Sequence, residues 1–195
     1  MASKNPDKIA EIEAVLDRAD MHTRIVRGLD WPDVDETGET LEENALLKAW
    51  QVATVTGIPA VADDTGLEVA ALKGAPGVIT GRYAGPDATY ADNVARLLLD
   101  LTATTDRTAV FRTVVALVTP EGEELLVEGR LEGRITTAPR GTYGFGYDPV
   151  FEVNGQTLGE MTVAEKNQVS HRARALRALV EELRRSPPAT PRDPK

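Results

Sequence analysis

The 195-residue chain contains no cysteine, which removes disulfides, thiolate metal sites and cysteine nucleophiles together. Two histidines, His22 and His171, are too few for a histidine-rich metal centre. Any metal must therefore rest on carboxylates, a donor set suited to magnesium. The longest apolar run is five residues, 114–118, too short to cross a bilayer. The polar start, Met-Ala-Ser-Lys-Asn-Pro, is unlike a secretory leader, so the cytoplasm is the expected address and no membrane partner is expected. Common nucleotide and hydrolase signatures are also missing. No Gly-Lys pair exists and hence no P-loop, nor is there a Gly-x-Ser-x-Gly or a His-Glu-x-x-His; Gly144-x-Gly146 runs into Pro149 instead of a third glycine.

What remains is ordinary for a globular chain: 42% apolar and 27% charged residues, at a length that fits one domain. The net charge of −9 is uneven: residues 166–195 hold eight Lys/Arg against three Asp/Glu, and the rest hold 14 against 28. An acidic surface of that size opposes nucleic-acid binding by phosphate neutralisation. The basic end still suits a small anion. Its last part, 186–195, is proline-rich and reads as a disordered tail, leaving one domain over 1–185.

Local signals alternate between helix and strand. Asn5-Pro6 starts a helix expected over 6–19, followed by a short strand near 23–29 and an acidic loop over 33–39. Thr40 and Glu43 make a capping-box pattern opening a helix to about Val55. A buried strand over 58–62 is expected to end in a turn at Asp63-Asp64-Thr65-Gly66, with a second strand over 67–72. A helix over 89–101, a hairpin of strands over 109–119 and 125–135, a glycine- and aromatic-rich loop over 139–149 and a strand over 150–153 follow. A further capping box, Thr162 with Glu165, opens helix that runs with a break to about Arg184. This order predicts an α/β fold with a mixed sheet.

Four patches suit chemistry, each with a plainer reading beside it. Residues 3–8 place Lys4 and Lys8 at a helix N-terminus, which is either an anion site or an ordinary cap with solvated lysines. Asp63-Asp64 could hold magnesium and take a proton from water, or simply initiate a turn; with alternating side chains only one of the two faces a given cleft. Residues 142–149 offer aromatics for stacking and glycines for close backbone approach, or a tight turn that packs Phe145 and Tyr147 into the core. Lys166, Ser170, His171 and Arg172 gather donors for a phosphate or keto oxygen, or form a basic helix end, as Arg174 and Arg177 do.

The order of these segments is more specific than any of them alone. Ser-x-Asn-x-x-Lys (3–8), Glu-Thr-Gly-x-Thr-x-x-Glu-Asn-Ala-x-x-Lys-Ala (36–49), Ala-Asp-Asp-Thr-Gly-Leu (62–67), Ala-Pro-Gly-Val (75–78), Gly-Phe-Gly-Tyr-Asp-Pro-x-Phe (144–151) and Glu-Lys-Asn-x-x-Ser-His-Arg (165–172) succeed one another. The chain resembles the inosine triphosphate pyrophosphatase family from Ser3 to about Leu183. The resemblance implies hydrolysis of ITP, dITP and XTP to monophosphate and pyrophosphate, an elongated mixed β-sheet with two lobes around a nucleotide cleft, a need for Mg2+, and a homodimer. It implies Asp64 as proton acceptor and metal ligand, with Asp35 as acidic partner and Glu36 beside it as second choice. Ser3, Lys4, Asn5, Asp7, Lys8, Lys48 and Thr65 are implied phosphate and sugar contacts. Phe145, Gly146, Tyr147, Asp148, Lys166, His171 and Arg172 are implied nucleotide and base contacts, with Arg172, a protonated His171 or backbone N–H donating to the 6-keto oxygen.

Departures from the family pattern are Thr65 for serine, Gly81 in the Thr80-Gly-Arg-Tyr83 loop, and Asp35 for glutamate. The family's short apolar strand ahead of the Ser/Thr-x-Asn loop is also missing, and a longer natural protein with an earlier start is the expectation. Two alternatives stand beside the enzyme reading: a nucleotide-binding protein impaired by that missing strand, and a pyrophosphatase of the same fold for other modified nucleotides.

Overall fold

Asn5 caps the first helix, α1 (Pro6–Leu16), its Oδ1 accepting from the Asp7 and Lys8 amides at 2.9 and 3.4 Å. Thr40 and Glu43 form the expected capping box at the start of α2 (Leu41–Thr56), which ends on Gly57 in a left-handed conformation. Then come β1 (Ala60–Val69), β2 (Pro76–Gly77), α3 (Tyr90–Asp100), β3 (Thr108–Val118), β4 (Glu124–Ile135), β5 (Phe151–Val153), β6 (Gln156–Thr157), α4 (Val163–Val169) and α5 (His171–Arg185). The computed structural model describes residues 2, 3, 5–16, 26 and 29–185. Lys4, His22, most of the strand expected over 23–29, the helix end at 17–19 and the tail 186–195 lie outside the described residues.

The α/β class is the one expected, with a six-stranded sheet ordered β2-β1-β3-β4-β5-β6. Where a mixed sheet was expected, every pairing among the described residues is antiparallel. The β3–β4 hairpin dominates it, turning through residues 119–123. The break expected within the last helical stretch falls at Ser170, whose extended backbone separates α4 from α5.

One expectation fails in an informative way. Asp63-Asp64-Thr65-Gly66 is not a turn between two strands. It is the middle of β1, paired with β3 without interruption from Ala60↔Val118 to Val69↔Ala109. Asp63 and Asp64 each pair one oxygen with a lysine, and the Thr65 hydroxyl bonds that of Thr113 on the neighbouring strand.

That polar stretch marks where three cores meet. α2 lays Ala45, Ala49 and Val52 on one sheet face, over Ala60, Ala62 and Val114. α1 and α5 cover the other face with Ile12, Val15, Leu176 and Leu179 against Val115. Beyond the polar stretch, Leu67 and Val69 join Leu97, Phe111 and Phe151 in a third core under α3. The same two strands therefore run through both lobes, and their charged midsection lies at the cleft between them.

Candidate active site

The cleft is lined from both lobes, by Asp64, Thr65, Thr80, Phe145, Lys166 and Arg172 among others. Five segments supply its charged walls. From β1, alternation sends Asp64 toward α2 and Asp63 toward α1 and α5, as strand geometry requires. Lys48, one of the few polar residues on the buried side of α2, places Nζ 2.8 Å from Asp64 Oδ1 and 2.9 Å from Glu36 Oε1. Glu36 is held in reach by Asn44: its Oδ1 accepts from the Gly38 amide at 2.8 Å, and its Nδ2 donates to the Gly38 carbonyl at 3.4 Å. A side chain at residue 38 would clash, since a Cβ there lies 2.7 Å from Asn44 Oδ1.

On the opposite face, six charged side chains alternate in sign. Asp148 binds Lys166 at 2.5 Å, and Lys166 binds Glu11 at 2.6 Å. Glu11 also pairs with Arg172, which reaches Asp63 through Nε at 3.2 Å, and Asp63 accepts from Lys8 at 3.2 Å. Burial opposes the charge on Glu11 and Asp63, yet Arg172 with Lys166, and Lys8 with Arg172, outweigh it and hold both carboxyls below the usual range. Arg172 is raised in turn: burial pulls it down, and Asp63 and Glu11 more than restore it.

Asp64 differs from Asp63. Burial pushes its carboxyl above the ordinary range and Lys48 offsets this only in part. Lys48 itself, lowered by burial alone, is carried above its usual value by Asp64 and Glu36. Asp64 Oδ2 is buried and lacks a hydrogen-bond partner. A dry carboxylate with one tethered oxygen and one free is able to accept a proton or meet a cation.

The glycine-rich loop divides between the two readings open to it. Tyr147 is core, 3% exposed, with its hydroxyl donating to Thr80 O at 3.1 Å. Phe145 faces the cleft, its ring 4.7 Å from Lys166 Nζ and 5.6 Å from the Arg172 guanidinium. Asp148 ties the loop down by accepting from the Phe145 amide at 2.8 Å, with burial raising its carboxyl. Gly144 is required here, because its φ is +72° and a Cβ would sit 2.1 Å from Asp148 Oδ2.

Ser170 caps α5, accepting from the Ala173 amide at 3.2 Å, which sets His171 and Arg172 in its first turn. His171 Nδ1 lies 2.6 Å from Thr113 Oγ1, and its ring stacks on Phe111. Burial, then Arg172 and Lys166, hold the imidazole well below 6.5. Burial therefore works against the protonated His171 expected as a donor and favours a neutral ring.

Of the sequence candidates, Asn5, Lys8, Glu36, Asp64, Thr65, Phe145, Gly146, Tyr147, Asp148, Lys166, His171 and Arg172 line the cleft. Ser3 and Lys48 line a hollow beside it that shares Asn5, Lys8 and Glu36. Asp7 and Asp35 are exposed and line neither. At residues 3–8 Asn5 caps the helix, and Lys8 is paired with Asp63. Arg174 and Arg177 are exposed and bond backbone carbonyls. Glu11 escaped sequence reasoning, although its place three residues after Lys8 on an apolar helix face was a usable signal. Thr113 and Tyr90 carried no local signal.

Fold and cleft together define an α/β protein with a site walled by paired carboxylates and cations. The Ham1 family matches the chain over residues 1–182. The dITP/XTP pyrophosphatase of Geobacter sulfurreducens is 46% identical over 188 residues, covering 94% of each chain. That of Streptomyces coelicolor is 46% identical over 192 residues, covering 94% of this chain and 96% of its own. Among solved structures, a HAM1 protein from Coxiella burnetii is similar with TM-score 0.85 and 40% identity, covering 94% of this chain and 96% of its own. The nucleoside-triphosphatase / dITP/XTP pyrophosphatase from Mycobacterium abscessus gives TM-score 0.73 and 44% identity over 93% of this chain and 96% of its own. The chain belongs to the Ham1 family.

Proposed function

We propose that this protein hydrolyses noncanonical purine nucleoside triphosphates (ITP, dITP and XTP) to the monophosphate and pyrophosphate, as a magnesium-dependent cytoplasmic homodimer. The observation that carries the chemistry is Asp64: a buried, raised carboxyl with Oδ1 held by Lys48 and Oδ2 unpartnered. Its relatives' names support the substrate class.

Charge bookkeeping supports the metal. Five carboxylates (Glu11, Glu36, Asp63, Asp64, Asp148) meet five cations (Lys8, Lys48, Arg82, Lys166, Arg172), so the walls carry no excess positive charge to neutralise a triphosphate. Among the described residues there is no cluster of three or more metal-ligating side chains. A pair of carboxylates, Asp64 with its free oxygen and Glu36 nearby, fits magnesium, which binds through one or two carboxylates with waters and substrate phosphates. Bound there, Mg2+ would supply charge neutralisation for the polyphosphate.

The remaining roles belong to the chain. Asp64 Oδ2 takes the proton of the attacking water, and Lys48 fixes the carboxylate's orientation. Lys8 and Lys48, with Ser3 and Asn5 at the shared hollow, face the phosphates. Phe145 stacks on the base, between the cations above its ring. His171 and Arg172 present donors to the 6-keto oxygen, while adenine's 6-amino group meets those donors unpaired. Arg172 is foremost a buried counter-ion, with Nε, Nη1 and Nη2 already engaged by Asp63, Glu11 and Thr65. Incubating the full chain with magnesium and ITP, XTP, ATP or GTP tests this. Pyrophosphate is expected from ITP and XTP and little from ATP or GTP; no release from any of the four overturns it.

A further inference from the structure

A neutral imidazole carries its proton on either nitrogen, so His171 can face the cleft as a donor or as an acceptor, with opposite consequences for a purine's 6-position. Thr113 bears on that choice. It is fully buried on β3, with Oγ1 2.6 Å from His171 Nδ1 and 2.7 Å from Thr65 Oγ1. Thr65 Oγ1 in turn accepts from Arg172 Nη2 at 3.3 Å.

Each hydroxyl owns one proton, so the chain runs in one of two directions. Toward the ring, Arg172 donates to Thr65, Thr65 to Thr113 and Thr113 to Nδ1; each oxygen accepts once and donates once, and the O–H dipoles point away from the guanidinium. In reverse, Nδ1–H donates to Thr113 and Thr113 to Thr65, whose own proton then has Asp63 Oδ2, at 3.4 Å, as its acceptor among the described residues. That oxygen already accepts from Lys8 and from Arg172 Nε, each at 3.2 Å. The 2.6 and 2.7 Å bonds serve either direction; what separates the two is that the reverse chain places a third donor on Asp63 Oδ2, at a distance near the limit of hydrogen bonding. Stacking on Phe111, with ring centroids 4.5 Å apart, opposes a flip of the ring. Among the described residues nothing bonds Nε2, and His171 lines the cleft.

We infer that Thr113 is a positioning residue that holds His171 as the neutral Nε2–H tautomer, giving the cleft an uncharged donor for the 6-keto oxygen of a purine base. The selectivity part rests on the nucleotide reading above; the tautomer does not. Arg172 thereby acts at a distance, by orienting two hydroxyls, as well as by its own ion pairs. Thr113→Val removes the hydroxyl at nearly constant volume and Thr113→Ser retains it, which separates relay from packing.

The test is 15N NMR of the imidazoles in the full-length protein without nucleotide, using a His22→Gln background so that His171 is the only ring observed. Wild type is expected to show an unprotonated Nδ1 and a protonated Nε2. Thr113→Val is expected to shift population to the Nδ1–H form and to lower the ITP:ATP ratio of kcat/KM roughly 10- to 100-fold. Thr113→Ser is expected to restore both. An Nδ1–H signal in wild type, or an unchanged tautomer in Thr113→Val, overturns the inference. A changed tautomer with unchanged selectivity overturns the readout of the 6-position by His171. Absence of turnover with the expected NMR pattern fails the nucleotide reading and leaves the relay standing.

Discussion

Lys48 and Asp64 meet at 2.8 Å with only 10% and 8% of their side chains exposed, and Glu36 shares the same ammonium. Lysine and carboxylate are thus one dry unit in which the cation orients the anion, leaving Asp64 Oδ2 without a hydrogen-bond partner. Asp64→Asn keeps the shape and removes the basic oxygen. Pyrophosphate release is expected to fall about 10²–10⁴-fold, with nucleotide affinity by calorimetry largely kept. Turnover near wild type would remove Asp64 from the base role.

The acidic loop gives a second contrast. Glu36 reaches Lys48 and lines the cleft, whereas its neighbour Asp35, the first choice from sequence, is exposed to solvent. Glu36→Gln is expected to raise the Mg2+ concentration for half-maximal activity about tenfold or more, and Asp35→Asn to change it little. Chelation with EDTA is expected to stop turnover in every variant. A magnesium titration of the two mutants reversing that order would return the role to Asp35.

Arg172 ties Glu11, Asp63 and Thr65 together, so its truncation leaves buried Glu11 to Lys166 alone and buried Asp63 to Lys8 alone. Arg172→Ala is expected to cost about 3–5 kcal/mol in urea unfolding, as other broken buried pairs do, in addition to lowering the ITP:ATP preference. A stability loss under 1 kcal/mol would mean that water or rearrangement rescues the pair.

The buried histidine sets a pH slope. His171 is held neutral well below its ordinary 6.5, so below that pH the unfolded chain binds a proton that the folded one refuses. Stability is therefore present above 6.5 and falls with acidification below it, by up to about 1.4 kcal/mol per pH unit from this group. Asp63, depressed in the fold, adds a loss only as pH falls below its ordinary 3.8. Burial of Asp64 and Asp148 acts in the opposite sense above 3.8. Urea unfolding at several pH values between 6.5 and 5 should therefore give a shallower slope for His171→Gln than for wild type.

Gly129 on β4 lets the start of α5 lie directly on the sheet. A Cβ there would come within 2.1 Å of the His171 carbonyl oxygen and 2.4 Å of the Ala175 amide nitrogen, both backbone atoms with no side-chain freedom to yield. Gly129→Ala is expected to cost about 1–3 kcal/mol and to lower kcat/KM by displacing His171 and Arg172. Unchanged melting and activity would show that the helix shifts without cost to the site.

Much of this was legible locally. The capping pairs Thr40/Glu43 and Thr162/Glu165 announce α2 and α4, and each is formed. The hairpin of β3 and β4 follows from strand-like runs around Pro120-Glu121-Gly122. Ordered motifs from Ser3 to Arg172 pointed to the family and to most residues of the cleft. Asp63-Asp64-Thr65-Gly66 misled because turn propensity is a local statement, whereas β1's continuity comes from ten paired residues on β3 and from cations on three helices.

Sequence by itself thus determined most of the elements, the family and the types of side chain available, since caps, periodicity and motif order are properties of neighbouring residues. Tertiary structure alone decided their electrical state and partnership. Asp63 and Asp64 are chemically identical and adjacent, yet one is held charged between Lys8 and Arg172 while the other is pushed by burial toward the neutral form. Nothing within the chain's local order distinguishes them. The difference arises because strand alternation sends them to opposite faces of one sheet, and the field each carboxylate feels is set by side chains brought there from distant parts of the chain.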